Sequence, residues 1–205
     1  MIDEPVLAEV TAHYPPADIT PEEFEEFVVA LLGSTEKNVA NLAITLHEKI
    51  EGVDGTYDFD ATVRYEFVGM SFLVLVEAKR HKNPIKRELV QILHQKVQSV
   101  GGHKGVIIST APYQSGALEF AKKHGIALVT VTEGRFTFET KSRIKPPPLS
   151  REAARCFGLP EFVGHHYGAD TEPGWTSITL MSPEYPDYVS EFLLGCPVLG
   201  DTEDS

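Results

Sequence analysis

The sequence predicts an α/β fold: a mixed central sheet with helices on its faces and a short C-terminal extension. Three observations carry this. From residue 71 onward, short apolar strands alternate with helical segments, an order that builds βαβ units and a helix-covered sheet. Just before, two strand-like stretches flank Val68-Gly69 and read as an antiparallel hairpin. Ahead of both stands one amphipathic helix with strong start and stop signals.

Residues 1–19 are an acidic lead-in with Pro15-Pro16 and no periodicity. Thr20-Pro21-Glu22-Glu23 then opens a helix. Thr20 can cap it, Pro21 suits the first helical position, and Glu23 can close a capping box. Phe24, Phe27, Val28 and Leu31 follow at helical spacing, and Gly33 ends the segment. Residues 38–50 suit a strand or a short helix; the strands that follow favour a strand. A Gly- and Asp-rich turn leads into strands at 57–66 and 71–79. His81 to Pro84 is a loop, and a helix is expected from 85 to the stop at Gly101-Gly102.

Val106 to Ser109 reads as a buried strand, and Thr110, Pro112 and Gly125 bracket the next helix. Ile126 to Val131 is a further strand, and Arg135 to Glu139 a last edge strand. Pro146-Pro147-Pro148 marks a boundary. Beyond it come a short helix over Ser150–Phe157, a strand over Trp175–Met181, and a helix opened by Ser182-Pro183 and closed at Gly195. The expected division is thus a lead-in over 1–19, a principal domain over 20–145 and a proline-led acidic extension over 146–205.

Bulk properties exclude several classes. No run of 18 apolar residues exists, so no membrane span is expected. The N-terminus lacks a basic segment followed by an apolar one, and Cys156 and Cys196 form no pattern, so a cytoplasmic protein with free thiols is the simplest reading. No Cys/His spacing fits zinc, and no phosphate-cradling loop for ATP is present. The net charge of −12 argues against generic nucleic-acid affinity, but the charge is uneven. Residues 1–60 hold 14 acids against 2 bases, whereas residues 61–125 hold 10 bases against 4 acids. Lys79, Arg80, Lys82, Lys86, Arg87, Lys96 and Lys104 belong to that basic block, and Arg80, Lys82, Lys86, Arg87 and Lys104 are candidate nucleic-acid contacts.

The block surrounds the stretches that carry chemistry. These are Tyr57-Asp58-Phe59-Asp60-Ala61 and Val76-Glu77-Ala78-Lys79-Arg80. Side chains alternate along a strand, so Glu77 and Lys79 share a face, as do Asp58 and Asp60. A chain reversal at Val68-Gly69 sets Asp60 opposite Glu77, and a slip of two residues would set Asp58 there instead. Directly opposed carboxylates destabilise a sheet unless compensated. Lys79 supplies part of the compensation, and a divalent cation would supply more.

The stretch from Phe24-Glu25 through Thr130 resembles the Mrr-like restriction endonuclease domain of the PD-(D/E)xK nuclease superfamily. The matching pieces stand in family order: Phe24 to Val28, Gly55 to Ala61, Val76 to Arg80, Lys104 to Ser109, Ser115 to Ala121, and His124 to Leu128. The resemblance implies a restriction-endonuclease-like sheet and a Mg²⁺-dependent endonuclease acting on DNA, with Mn²⁺ able to substitute. It implies Asp60 and Glu77 as metal ligands, with Glu25 on the first helix in support, and Lys79 as a contact to the scissile phosphate or an orienter of the attacking water. Gln91 and Gln95 are accessory candidates on the same grounds, and Asp58 is one by sharing the Asp60 face of its strand. Double-strand cutting by one site per chain would call for a homodimer. The competing readings are a non-catalytic nucleic-acid-binding or regulatory module, and a protein-interaction component whose acidic C-terminal segment docks a partner or covers the basic face.

Overall fold

The computed structural model describes residues 17–35, 39–136, 149–169, 176–186 and 189. Its centre is one seven-stranded sheet in which each strand neighbours the next in sequence. The strands are β1 (Ala40–Glu51), β2 (Thr56–Phe67), β3 (Met70–Lys79), β4 (Lys104–Ser109), β5 (Ala127–Glu133), β6 (Phe162–Ala169) and β7 (Thr176–Met181). The helices are α1 (Pro21–Gly33), α2 (Arg87–Val100), α3 (Ser115–His124) and α4 (Arg151–Cys156). β3, β4 and β5 run parallel, and all other neighbours are antiparallel. Parallel neighbours need a crossover, and α2 and α3 provide the two. The sheet is therefore mixed and flanked by helices, as the sequence predicts.

The two faces have separate cores. α1 packs Phe24, Phe27, Val28 and Leu31 onto Ala61, Val63, Val74, Val76, Val106 and Ile108. α2 and α3 cover the opposite face, where Val90, Leu93, Val97, Ala117 and Ala121 meet Phe59, Leu75, Ile107 and Leu128. Gly105 lets α2 lie close on β4, since a Cβ there would stand 3.0 Å from Val97 and 3.2 Å from Leu93. The capping box of α1 forms as expected: Thr20 Oγ1 accepts from Glu23 N at 3.2 Å, and Thr20 N donates back to Glu23 Oε2 at 2.8 Å.

The hairpin has the expected register. Phe67 pairs with Met70, and the ladder runs without a shift to Ala61 opposite Val76. Its two-residue turn puts both Val68 (φ 51°) and Gly69 (φ 73°) in the left-handed region, the backbone of a type I′ turn. Glycine suits that region; a β-branched valine is strained there.

Four expectations change. The second crossover helix begins at Ser115, not after Thr110, because residues 111–114 form a loop in which Tyr113 bridges to Ile85. α2 starts at Arg87 for the same reason: Ile85 is spent on that bridge and is 1% exposed. Arg135 does not open an edge strand, since Gly134–Phe136 is a 3-10 turn, and residues 137–139 lie outside the described part. The strand beside β5 is instead β6, which the sequence reading missed and which pairs antiparallel with β5 from Val129↔His166 to Glu133↔Phe162. Residues past Pro148 thus continue the sheet with β6 and β7.

Pro146 to Pro148, residues 1–16, Trp175 and most of the helix expected over Ser182–Gly195 lie outside the described residues. Among the described residues, no helix is long and apolar enough to cross a membrane.

A buried carboxylate ties the segment after Pro148 to the body of the sheet. Glu133 is 3% exposed and accepts from Arg135 Nε at 2.7 Å and Arg151 Nε at 3.1 Å. Arg151 also donates to the Asp18 carbonyl. Burial pushes the Glu133 carboxyl up, but the bonds from Arg151 and Arg135 outweigh it and hold the group below the usual range.

Candidate active site

β2 and β3 bring Asp60, Glu77 and Lys79 together. The Lys79 ammonium donates to Glu77 Oε2 at 2.6 Å and to Asp60 Oδ2 at 3.2 Å, so one cation touches both acids. Asp60 Oδ2 also accepts the Ala78 backbone N–H at 2.7 Å. A side chain thereby takes a donor that a regular ladder would have used, and the pairing of β2 with β3 stops at Ala61↔Val76.

The reason lies in β2 itself. Phe59 packs in the α2/α3 layer, whereas Ala61 packs in the α1 layer. Two residues apart should share a face, so the alternation breaks at Asp60. Across β1, the residue beside this break is His47, between the pairs Leu46↔Ala61 and Glu48↔Phe59, and its φ is 49°. Irregular strand geometry of this kind re-aims side chains and recurs next to active sites.

A fourth group joins from α2. Lys96 donates to Glu77 Oε1 at 2.5 Å and to the Asp58 carbonyl at 3.1 Å, with its ammonium 5.2 Å from the Phe59 ring centroid. Glu77 is 7% exposed and carries an ammonium on each oxygen. Burial would pull the Lys79 ammonium down, but its bond to Glu77 and the charges of Glu77 and Asp60 outweigh this and hold it above the ordinary lysine value. Its two carboxylate neighbours thus favour the ammonium form of Lys79.

Other expected residues fall elsewhere. Asp58 contributes its carbonyl to the cluster, while its side chain is in an exposed position and the residue is not an acid ligand to Lys79 or Lys96. Glu25 is exposed on α1, the helix that covers the opposite face, and takes no part in these bonds. Gln91 and Gln95 are exposed on α2; Gln95 turns to Asp54, which also accepts from Ser99 and from Tyr57 at 2.9 Å. Arg80, Lys82, Lys86 and Arg87 are exposed along the loop after β3 and the start of α2. Arg80 Nε donates to the Ile19 carbonyl at 2.8 Å, and Arg87 lies over Phe120. Lys104 is not with them: it starts β4, three residues before Ile107, the pairing partner of Glu77. It also points to the other face, since its neighbour Gly105 faces α2. Ser109 and Thr110 are buried and brace the loop after β4, accepting from Ala111 N and His81 N.

Lys96 is the residue the sequence reading passed over. It was visible only as one lysine of the basic block, set beside the buried stripe of Leu93 and Val97.

The donor set fits a hard divalent cation. Two carboxylates reach one point between neighbouring strands, with no thiol or imidazole among their contacts. Mg²⁺ needs only one or two carboxylates because it keeps several waters. Among the described residues no group of three His, Cys, Asp or Glu gathers at one point. Asp60 and Glu77 would hold the ion.

No curated protein matches this chain. Among solved structures, a crystallised protein of unknown function, AF1548, is 19% identical with a TM-score of 0.40, over 49% of this chain and 53% of its own. The DNA modification-dependent restriction endonuclease AspBHI is 16% identical with a TM-score of 0.33, over 58% of this chain and 34% of its own. The chain thus spans about half or less of these proteins. The restriction endonuclease family model of the Mrr catalytic type matches residues 16–133, the stretch that holds α1, the hairpin and the whole carboxylate–lysine cluster, and the chain belongs to that family.

Proposed function

We propose that this chain is a Mg²⁺-dependent endonuclease that hydrolyses DNA phosphodiester bonds in the restriction of foreign or modified DNA. The observation that carries the reading is the Lys79 ammonium shared between Asp60 and Glu77 on neighbouring strands. Phosphodiester hydrolysis needs an activated water and compensation of charge that builds on the phosphate. A bound divalent ion supplies an activated water and polarises the phosphate. Asp60 and Glu77 hold that ion at the end of the strand pair. Lys79, kept protonated, sets a fixed positive charge beside the oxygens that gain negative charge. Ala78 N–H fixes the Asp60 carboxylate, so this ligand does not have to be ordered when DNA arrives.

Arg80, Lys82, Lys86 and Arg87 form the exposed basic approach for the backbone, and a homodimer would place one cluster on each strand. Mn²⁺ substitutes for Mg²⁺ in this reading, and the protein works in the cytoplasm. The test is cleavage of methylated and unmethylated plasmid in Mg²⁺ and in EDTA, with Asp60→Ala and Lys79→Ala beside the parent. Cleavage that needs Mg²⁺ and disappears in both variants supports the reading. Equal nicking by parent and variants, or none by the parent on either plasmid, removes it in favour of a binding module on the same fold.

A further inference from the structure

Lys79 and Lys96 hold Glu77 in different ways. Lys79 answers two acids, Glu77 and Asp60. Lys96 comes from another element, α2, and among the described residues its one acid partner is Glu77. Its other contacts are a carbonyl, Asp58 O, and the face of Phe59. The Glu77–Lys96 pair is also well covered, with side chains 10% and 19% exposed.

The cluster is neutral as it stands: two carboxylates and two ammoniums. A divalent cation would add two positive charges to a partly covered site, where like charges repel more strongly than in open water. It would also compete for the Glu77 oxygen that Lys96 now holds at 2.5 Å. One ammonium has to give way. Withdrawing Lys79 would break ion pairs with both acids, whereas withdrawing Lys96 breaks its pair with Glu77 alone and leaves Asp60 paired.

We propose that Lys96 is a positioning residue: it holds Glu77 as a built-in counter-cation and yields that oxygen when a divalent ion binds. The inference rests on Asp60 and Glu77 being the metal ligands. It makes Lys96 a brake on metal affinity and a prop for the metal-free fold.

The experiment measures Mn²⁺ binding by electron paramagnetic resonance, with DNA absent, for the parent, Lys96→Met and Lys96→Arg. Losing the competing ammonium should tighten Mn²⁺ binding about tenfold in Lys96→Met, the equivalent of ~1.4 kcal/mol. Lys96→Arg keeps a cation in place and should bind like the parent. A second measurement uses the parent alone: saturating Mn²⁺ should raise the acylation rate of the Lys96 amine, read by peptide mass spectrometry. This reading decides the matter if Lys96→Met does not fold. Unchanged or weaker Mn²⁺ binding in a folded Lys96→Met, or Lys96 labelling that ignores Mn²⁺, overturns the inference while the metal reading stands. Failure of the parent itself to bind Mn²⁺ overturns both.

Discussion

Glu77→Gln separates the structural and metal-binding duties of one side chain. Both oxygens of Glu77 accept from ammoniums, at 2.6 and 2.5 Å, and the side chain is 10% exposed. Glutamine keeps the shape but turns one oxygen into an amide that faces a donor. One charge-assisted bond is lost, and the other keeps its ionised donor but loses its ionised acceptor. Such bonds contribute about 1.5–3 kcal/mol each. Lys79 and Lys96 are 27% and 19% exposed, so water recovers part of the loss. Lys79 also keeps Asp60, and Lys96 keeps the Asp58 carbonyl. The expected cost without metal is ~2 kcal/mol at neutral pH, at the low end of that range.

Equilibrium urea unfolding measures this, with an unchanged slope showing that the variant still folds. Repeating it in Mg²⁺ reads the second duty. At a hundredfold excess over Kd a ligand adds ~2.7 kcal/mol to the native state. The parent should gain stability of this kind and Glu77→Gln should not, and its plasmid cleavage should vanish. A variant as stable as the parent without metal, or one that gains as much from Mg²⁺, would refute the reasoning.

Three other outcomes follow from the same structure. Val68 is 79% exposed and strained at φ 51°, so Val68→Asn should stabilise by ~1 kcal/mol and raise Tm by roughly 2–4 °C, without touching cleavage; an unchanged or lower Tm counts against the strain. Burial lowers His165 to about 4, so the unfolded chain binds a proton that the native state refuses between about pH 6.5 and 4. Stability should therefore decrease as pH drops from about 6.5 to 4, by at most ~1.4 kcal/mol per unit, and pH-dependent urea melts of His165→Gln should show a shallower slope. Arg135→Ala leaves buried Glu133 with Arg151 as its remaining side-chain donor, at an expected cost of ~2 kcal/mol by urea unfolding; a change under a few tenths would show that Arg151 alone suffices.

Much of the candidate site's geometry was legible because it is local. Asp60 meets Glu77's strand through a two-residue turn, and the turn position alone sets that register. Lys79 follows by alternation. The capped helix at Thr20, the crossover helices and the glycine stops at 101 and 125 are equally local signals. The edge of the sheet was not legible. β6 reads Phe-Val-Gly-His-His-Tyr-Gly-Ala, which has no clean alternation, and it is a strand because β5 offers it a partner.

What the sequence determined by itself was the order of elements, the faces they bury and the pairing of one acid-bearing hairpin, since spacing and turn chemistry act over a few residues. Tertiary structure decided the rest of the chemistry. The break at Asp60 exists because Phe59 packs beneath α2, and that same packing carries Lys96 onto Glu77. Nineteen positions separate those two residues, and no local pattern distinguishes such a lysine from one that only meets water.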